Sequence, residues 1–136
     1  MNVMKKRPKK KILIILSVPA VIGGILLIIG FSMTAKMERE LMNLEYHEID
    51  LKDLEDETYQ GKAETTLVTV EVAVEISNHE ISEIDLLKHE NGLGRKAEII
   101  VEDMISQNTY DVDAISGATA SSLVIKSAVS DALRVN

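Results

Sequence analysis

The chain has no cysteine and no tryptophan, and its 136 residues include one phenylalanine, three tyrosines and two prolines. Without cysteine there are no disulfides, no zinc-thiolate sites, no thiol nucleophile and no lipoprotein-type anchor. With so few aromatics, a core or a ligand bed has to be built from aliphatic side chains. Positive charge is scarce beyond the first eleven residues. Lys5, Lys6, Arg7, Lys9, Lys10 and Lys11 all lie there, and the rest of the chain sets nine basic residues against 22 acidic ones, a net of −13. A body this acidic argues against nucleic acid as a partner, because phosphate backbones reward clustered Lys and Arg. The length allows one small domain.

What is present begins with an uncharged run over residues 12–35, whose apolar part ends at Phe31. Roughly 20 apolar helical residues cross a hydrocarbon layer of about 30 Å, and membrane helices tolerate interruptions such as Pro19, Gly23, Gly24 and Gly30. Six basic residues precede the run and only Lys36 and Arg39 closely follow it, so the positive-inside rule keeps the N-terminus in the cytoplasm and exports the acidic body. A cleaved signal peptide is the rival reading. The run is longer than a usual signal core, and Met33-Thr34-Ala35 is a weak small-x-small cleavage site, so a retained anchor is favoured. The expected layout is a basic cytoplasmic tip (1–11), a transmembrane helix (12–34), a juxtamembrane linker (35–48) and one exported domain (49–136). In residues 36–54 the apolar positions suggest a short helix followed by a strand or loop, which serves either as a spacer or as a partner-binding element.

Within the exported domain, Val68, Val70, Val72, Val74 and Ile76 alternate with Leu67, Thr69, Glu71, Ala73 and Glu75, which predicts a half-buried strand. Ser77-Asn78-His79-Glu80 has turn composition. Ile81, Ile84, Leu86 and Leu87 continue as a second strand whose alternation slips, so an antiparallel hairpin with a bulge is expected. After Asn91-Gly92-Leu93-Gly94, the positions Ala97, Ile100, Val101, Met104 and Ile105 recur at helical spacing over residues 95–107. Residues 110–115 read as a short extended piece. Ser122, Ile125, Val129, Ala132 and Leu133 form the stripe of a last helix. The fold class is therefore α+β, a small antiparallel or mixed sheet with packed helices behind one transmembrane helix.

The informative segment is Asp111 to Ser122, DVDAISGATASS. Its run of small residues makes a tight turn directly ahead of a helix whose first N–H groups lack intrahelical partners, a natural cradle for phosphate or carboxylate. Thr119, Ser121 or Ser122 can equally be an ordinary N-cap. His47, His79 and His89 fall in three separate elements without shared ligand spacing, so no metal site is expected. The acidic runs read as solvated faces. Ser121 lacks the partners of a hydrolytic triad.

Asp113-Ala114-Ile115-Ser116-Gly117-Ala118-Thr119-Ala120-Ser121 resembles the flavinylation motif of the FMN-binding domain family, Asp-x-x-Ser/Thr-Gly-Ala-Thr-x-Ser/Thr. That family includes flavin-carrying subunits of sodium-translocating NADH:quinone reductase and of the Rnf complex, together with small membrane-anchored proteins. The residues Glu57-Thr58-Tyr59-Gln60-Gly61 are similar to a family segment ahead of the first strand, with Glu57 where Gly is usual. His89-Glu90-Asn91-Gly92-Leu93-Gly94 is similar to a loop near the flavin, without that loop's Thr-Pro pair. Gln107 also matches the family pattern, and the resemblance spans about residues 49–134.

The resemblance implies FMN joined by a phosphoester to Thr119, attached by a separate FAD:protein FMN transferase. Asp113, Ser116, Gly117 and Ala118 would shape the modified turn, while Ser121 and Ser122 would help hold the phosphate. It further implies an electron carrier or redox subunit more than a stand-alone enzyme. Its donor would be a quinol or a flavoprotein in the membrane, and its acceptor an extracytoplasmic protein. A membrane-tethered sensor or adaptor, and a structural accessory subunit, are the alternative readings.

Overall fold

The computed structural model describes residues 9–90 and 94–134, with side chains from residue 18 onward. Asn91, Gly92 and Leu93, and most of the basic tip, lie outside the described residues. Helix α1 (Lys9–Met42) carries the uncharged run, with Pro19 inside it. Its apolar side chains are bare: Leu27 and Phe31 are 76% and 79% exposed. Over Val18–Met42 the helix is long and apolar enough to cross a membrane, and its most apolar stretch buries nothing. A helix apolar all round and uncovered belongs to a membrane anchor or a signal sequence. The short helix expected after the apolar run is the continuation of α1, so no break separates them.

The chain divides into two compact units, residues 1–36 and 37–136. In the second, three antiparallel strands stand in the order β1 (Thr58–Glu64), β2 (Thr69–Ser77) and β3 (Glu80–Glu90). The predicted hairpin is β2–β3, and its register shifts at Glu71/Val72 and Glu75/Ile76 are the slip seen in the alternation. Asn78 and His79 form its two-residue turn with φ of 53° and 64°, the backbone that matches strand twist. Strand β1 is a correction to the sequence reading: the family resemblance puts this segment ahead of the first strand, yet Tyr59, Gly61 and Ala63 pair with Val74, Val72 and Val70. Ahead of β1, residues 51–53 form a single 3-10 turn capped by Asp50, where a strand or loop was expected.

The helix expected over residues 95–107 starts as a 3-10 turn, Gly94–Ile99, and becomes α2 only at Ile100–Gln107. Its C-cap Asn108, in the left-handed conformation, accepts the Ile81 N–H at 2.8 Å and fixes α2 to β3. Residues 110–115 are irregular rather than a strand, with a tight Val112 N–H to Tyr110 carbonyl bond of 3.0 Å.

Helix α3 (Thr119–Leu133) lies on the apolar face of the sheet and is the centre of the domain, with ten of its fifteen residues buried. Val70, Val72, Val74, Ile76, Ile100, Met104, Ile125 and Val129 form the heart of the core. At Gly61 the α3 backbone approaches β1 so closely that an added Cβ would strike the Ala128 carbonyl and the Ala132 nitrogen. Residues 43–50 lie along the opposite side of α3. Ser127 Oγ donates to the Glu45 carbonyl at 2.8 Å, the His47 N–H donates to Ser130 Oγ at 2.7 Å, and Tyr46 Oη donates to the Leu123 carbonyl at 3.1 Å. Tyr110 stacks on Tyr46 at 6.3 Å and donates its hydroxyl to the His47 carbonyl at 2.7 Å.

Candidate functional site

The small-residue turn is built by local backbone chemistry. The Ala118 N–H donates to the Ile115 carbonyl at 2.9 Å, and Gly117 takes φ +80° at the third position, where a type II turn requires a residue free of Cβ strain. The turn is braced from both sides. The Ile115 N–H donates to Ser122 Oγ at 3.0 Å, and Lys96 Nζ donates to the Ser116 carbonyl at 3.2 Å. Upstream, Lys126 Nζ holds Asp111 Oδ1 at 2.9 Å and the Val112 carbonyl at 2.8 Å.

The helix that follows is not capped by a side chain. Its N-cap is Ala118, which has no hydroxyl, and the first helical bond is the Ser122 N–H to the Ala118 carbonyl at 3.0 Å. The N-cap reading of Thr119, Ser121 and Ser122 is therefore set aside: Thr119 is the first helical residue, and Ser122 turns its hydroxyl back to residue 115. Among the described residues, the N–H groups of Thr119, Ala120 and Ser121 have no partner, and their dipoles add to the positive end of the helix.

These groups border a cleft of about 580 Å³ lined by Met37, Leu67, Val68 and Gly94 and by residues 117–121, mostly through apolar surface. Thr119 is exposed there. Ser121 is only 4% exposed and its hydroxyl makes no hydrogen bond among the described residues. Of the residues singled out in the sequence, Gly117, Ala118, Thr119 and Ser121 line the cleft. Ser116 contributes its carbonyl to Lys96, Ser122 braces from behind, and Asp113 is exposed outside the lining.

His89 does not line the cleft. Its nearly buried ring contacts Glu98 Oε1 through Nδ1 at 2.9 Å, tying the end of β3 to the 3-10 turn. The loop contacts expected from Asn91 to Leu93 fall outside the described residues. Two features had no signal short of the fold: Lys96, a cation beside the turn, and the Glu40–Thr66 contact at the cleft wall described below. A second cleft of about 510 Å³ sets Asp53, Glu55, Glu57 and Asp131 against Arg134, a net negative lining that disfavours an anionic ligand.

The FMN-binding domain family model matches residues 66–134, just over half of the chain. The chain belongs to this family. Comparison with curated proteins returns no match. The matched residues begin after β1, so this FMN-binding domain recruits β1, residues 43–50 and the end of α1 from outside the matched segment. Its cleft suits FMN in size and chemistry. The volume lies in the range of roughly 300–1,000 Å³ usual for small-molecule sites. Unpartnered N–H groups and the Ser121 hydroxyl offer donors to a phosphate, and the aliphatic lining offers a bed for a flat ring.

Proposed function

We propose that this FMN-binding domain carries its cofactor as a phosphoester on Thr119 Oγ1, and that the protein is a membrane-anchored, extracytoplasmic electron carrier. The observation that carries the reading is the exposed hydroxyl of Thr119 on the uncapped first turn of α3, inside an apolar cleft. A phosphate on that oxygen lies within the first helical turn, where the N–H groups of residues 119–121 and the Ser121 hydroxyl donate to its oxygens. Lys96, bonded to the Ser116 carbonyl, adds a positive charge beside the turn. The rest of the domain is strongly acidic, so ionic attraction alone holds a flavin phosphate poorly, and a covalent link removes the need for it.

Bound FMN supplies one- and two-electron redox chemistry. This chain's part is to anchor the phosphate, to rest the ring on aliphatic side chains and to leave an edge open for exchange. Attachment falls to an FAD:protein FMN transferase, which reads the turn formed by Asp113, Ser116, Gly117 and Ala118. The basic tip stays in the cytoplasm and the domain stands on the outer face of the cell membrane. The donor is a membrane quinol or flavoprotein, and the acceptor an extracytoplasmic protein.

The test is a denaturing gel of the full chain from its native membranes, viewed under ultraviolet light, with intact mass on the same band. A fluorescent band heavier by FMN less water, lost in Thr119→Ala, is the expected result. Because Ala118 and not Thr119 occupies the N-cap, that substitution should change stability by no more than about 0.5 kcal/mol. A dark band of unmodified mass overturns the reading.

A further inference from the structure

The cleft has one wall that lies partly outside the family match. Met37, on the last turns of α1, lines it together with Leu67, which stands in the turn between β1 and β2. Leu67 is 48% exposed, while its neighbour Val68 is spent in the core at 6%. The two wall residues are held together by a clamp. Glu40, one helical turn beyond Met37 and on the same face, accepts the Thr66 N–H at 2.7 Å and the Thr66 hydroxyl at 2.5 Å. The turn carrying Leu67 is itself closed by the Thr65 N–H to the Val68 carbonyl at 2.8 Å and by the Val68 N–H to Thr65 Oγ1 at 3.1 Å. A charged side chain is thus committed to fixing an exposed leucine beside a methionine at the rim of an apolar cleft.

We propose that Met37 and Leu67 form the seat of the isoalloxazine ring, with Glu40 as a positioning residue that sets the distance between them. The proposal rests on the attachment at Thr119. From that oxygen the phosphate and the five-carbon ribityl chain lead the ring away from the helix start, and Met37 and Leu67 supply half-covered aliphatic surface within the same cleft. A thioether and a leucine side chain suit a flat, polarisable ring where aromatic side chains are lacking. The anchor helix then does more than tether, because its end completes the cofactor site.

The experiment uses the full flavin-loaded chain in lipid nanodiscs and reads iodide quenching and anisotropy of flavin fluorescence, with covalent loading measured on the same samples. Met37→Ser, Leu67→Ser and Glu40→Ala should load FMN like the parent. Each should raise the quenching constant by about twofold and lower the anisotropy, because one covered face of the ring opens to water. Met37→Leu should behave as the parent. Leu87→Ser, which removes an exposed leucine that does not line the cleft, should also leave both readouts unchanged. Normal loading with unaltered quenching in Met37→Ser and Leu67→Ser refutes the seat alone. Loss of attachment in a folded Met37→Ser chain also refutes it, because the residue then serves recognition by the transferase. An unmodified parent chain refutes the attachment reading, and the seat falls with it.

Discussion

Gly61→Ala tests whether the position of α3, and with it the cleft, is set by contact between backbones. The added Cβ meets the Ala128 carbonyl oxygen and the nitrogen and Cα of Ala132, so no side chain can rotate away. Helix and strand have to separate. Overpacking of this kind costs about 1–3 kcal/mol. Separation also lengthens the bond from the Lys62 N–H to Asp131 Oδ2, now 3.0 Å, and a hydrogen bond to a charged group contributes roughly 1.5–3 kcal/mol. Against this, replacing Gly by Ala favours folding by about 0.4–1 kcal/mol through the unfolded chain. The balance is a loss of about 3 kcal/mol, a large share of the roughly 5–15 kcal/mol that holds a small domain together. Urea unfolding of the full chain in detergent, followed by far-ultraviolet circular dichroism, measures it. The reasoning also predicts no rescue by Ala132→Gly in the same chain, since the struck atoms belong to every residue type and glycine weakens the helix by about 1 kcal/mol more. A loss below about 0.5 kcal/mol, or restoration by Ala132→Gly, would refute the backbone-contact argument.

Two further outcomes follow from the bracing of the site. Ser122 is fully buried and its hydroxyl accepts the Ile115 N–H, so Ser122→Ala should cost about 1–3 kcal/mol and reduce covalent flavin loading, read from the unfolding midpoint and from in-gel fluorescence. Tyr46 ionises above its ordinary value, first because burial disfavours the phenolate and then because Tyr110 and Asp111 repel it. A raised folded value means this contribution to stability is intact below about pH 10 and is lost as pH climbs through the folded value, so stability should fall in strong alkali. Asp111→Asn should lower the Tyr46 midpoint in an absorbance titration at alkaline pH, and an unchanged midpoint would contradict the assignment.

The parts of the fold legible in the sequence are those that spend large apolar side chains in a regular period. Strand β2 announces itself through its alternating valines, and the doubled Leu86-Leu87 betrays the bulge in its partner. Strand β1 is silent for a physical reason: two of its core-facing residues are the small Gly61 and Ala63, and at Gly61 the space a side chain would fill is taken by the α3 backbone. Residues 43–50 give no clear element in the sequence, because besides Leu44 and Ile49 on the core they are fixed by polar bonds to Ser127 and Ser130, and those serines read as small packing residues until their partners are known. The turn at residues 116–119 was legible as chemistry, whereas Lys96 and the Glu40–Thr66 clamp pair residues 20 and 26 positions apart and leave no local trace.

The absence of a cap on α3 is best understood against the burial of the rest of that helix. A hydroxyl or carboxylate at position 118 would satisfy first-turn donors from within and would add about 1 kcal/mol to helix stability. The chain has alanine there, and Ser122, the nearest buried hydroxyl, is turned away to hold the preceding loop. Helix α3 can forgo the cap because ten of its residues are buried, against the sheet on one side and residues 43–50 on the other. The first two residues of the helix, Thr119 and Ala120, are not among those ten, whereas Ser121 and Ser122 behind them are packed. Donors left free at the end of an otherwise immobilised helix keep their orientation, so a phosphate bound there meets them without reorganisation.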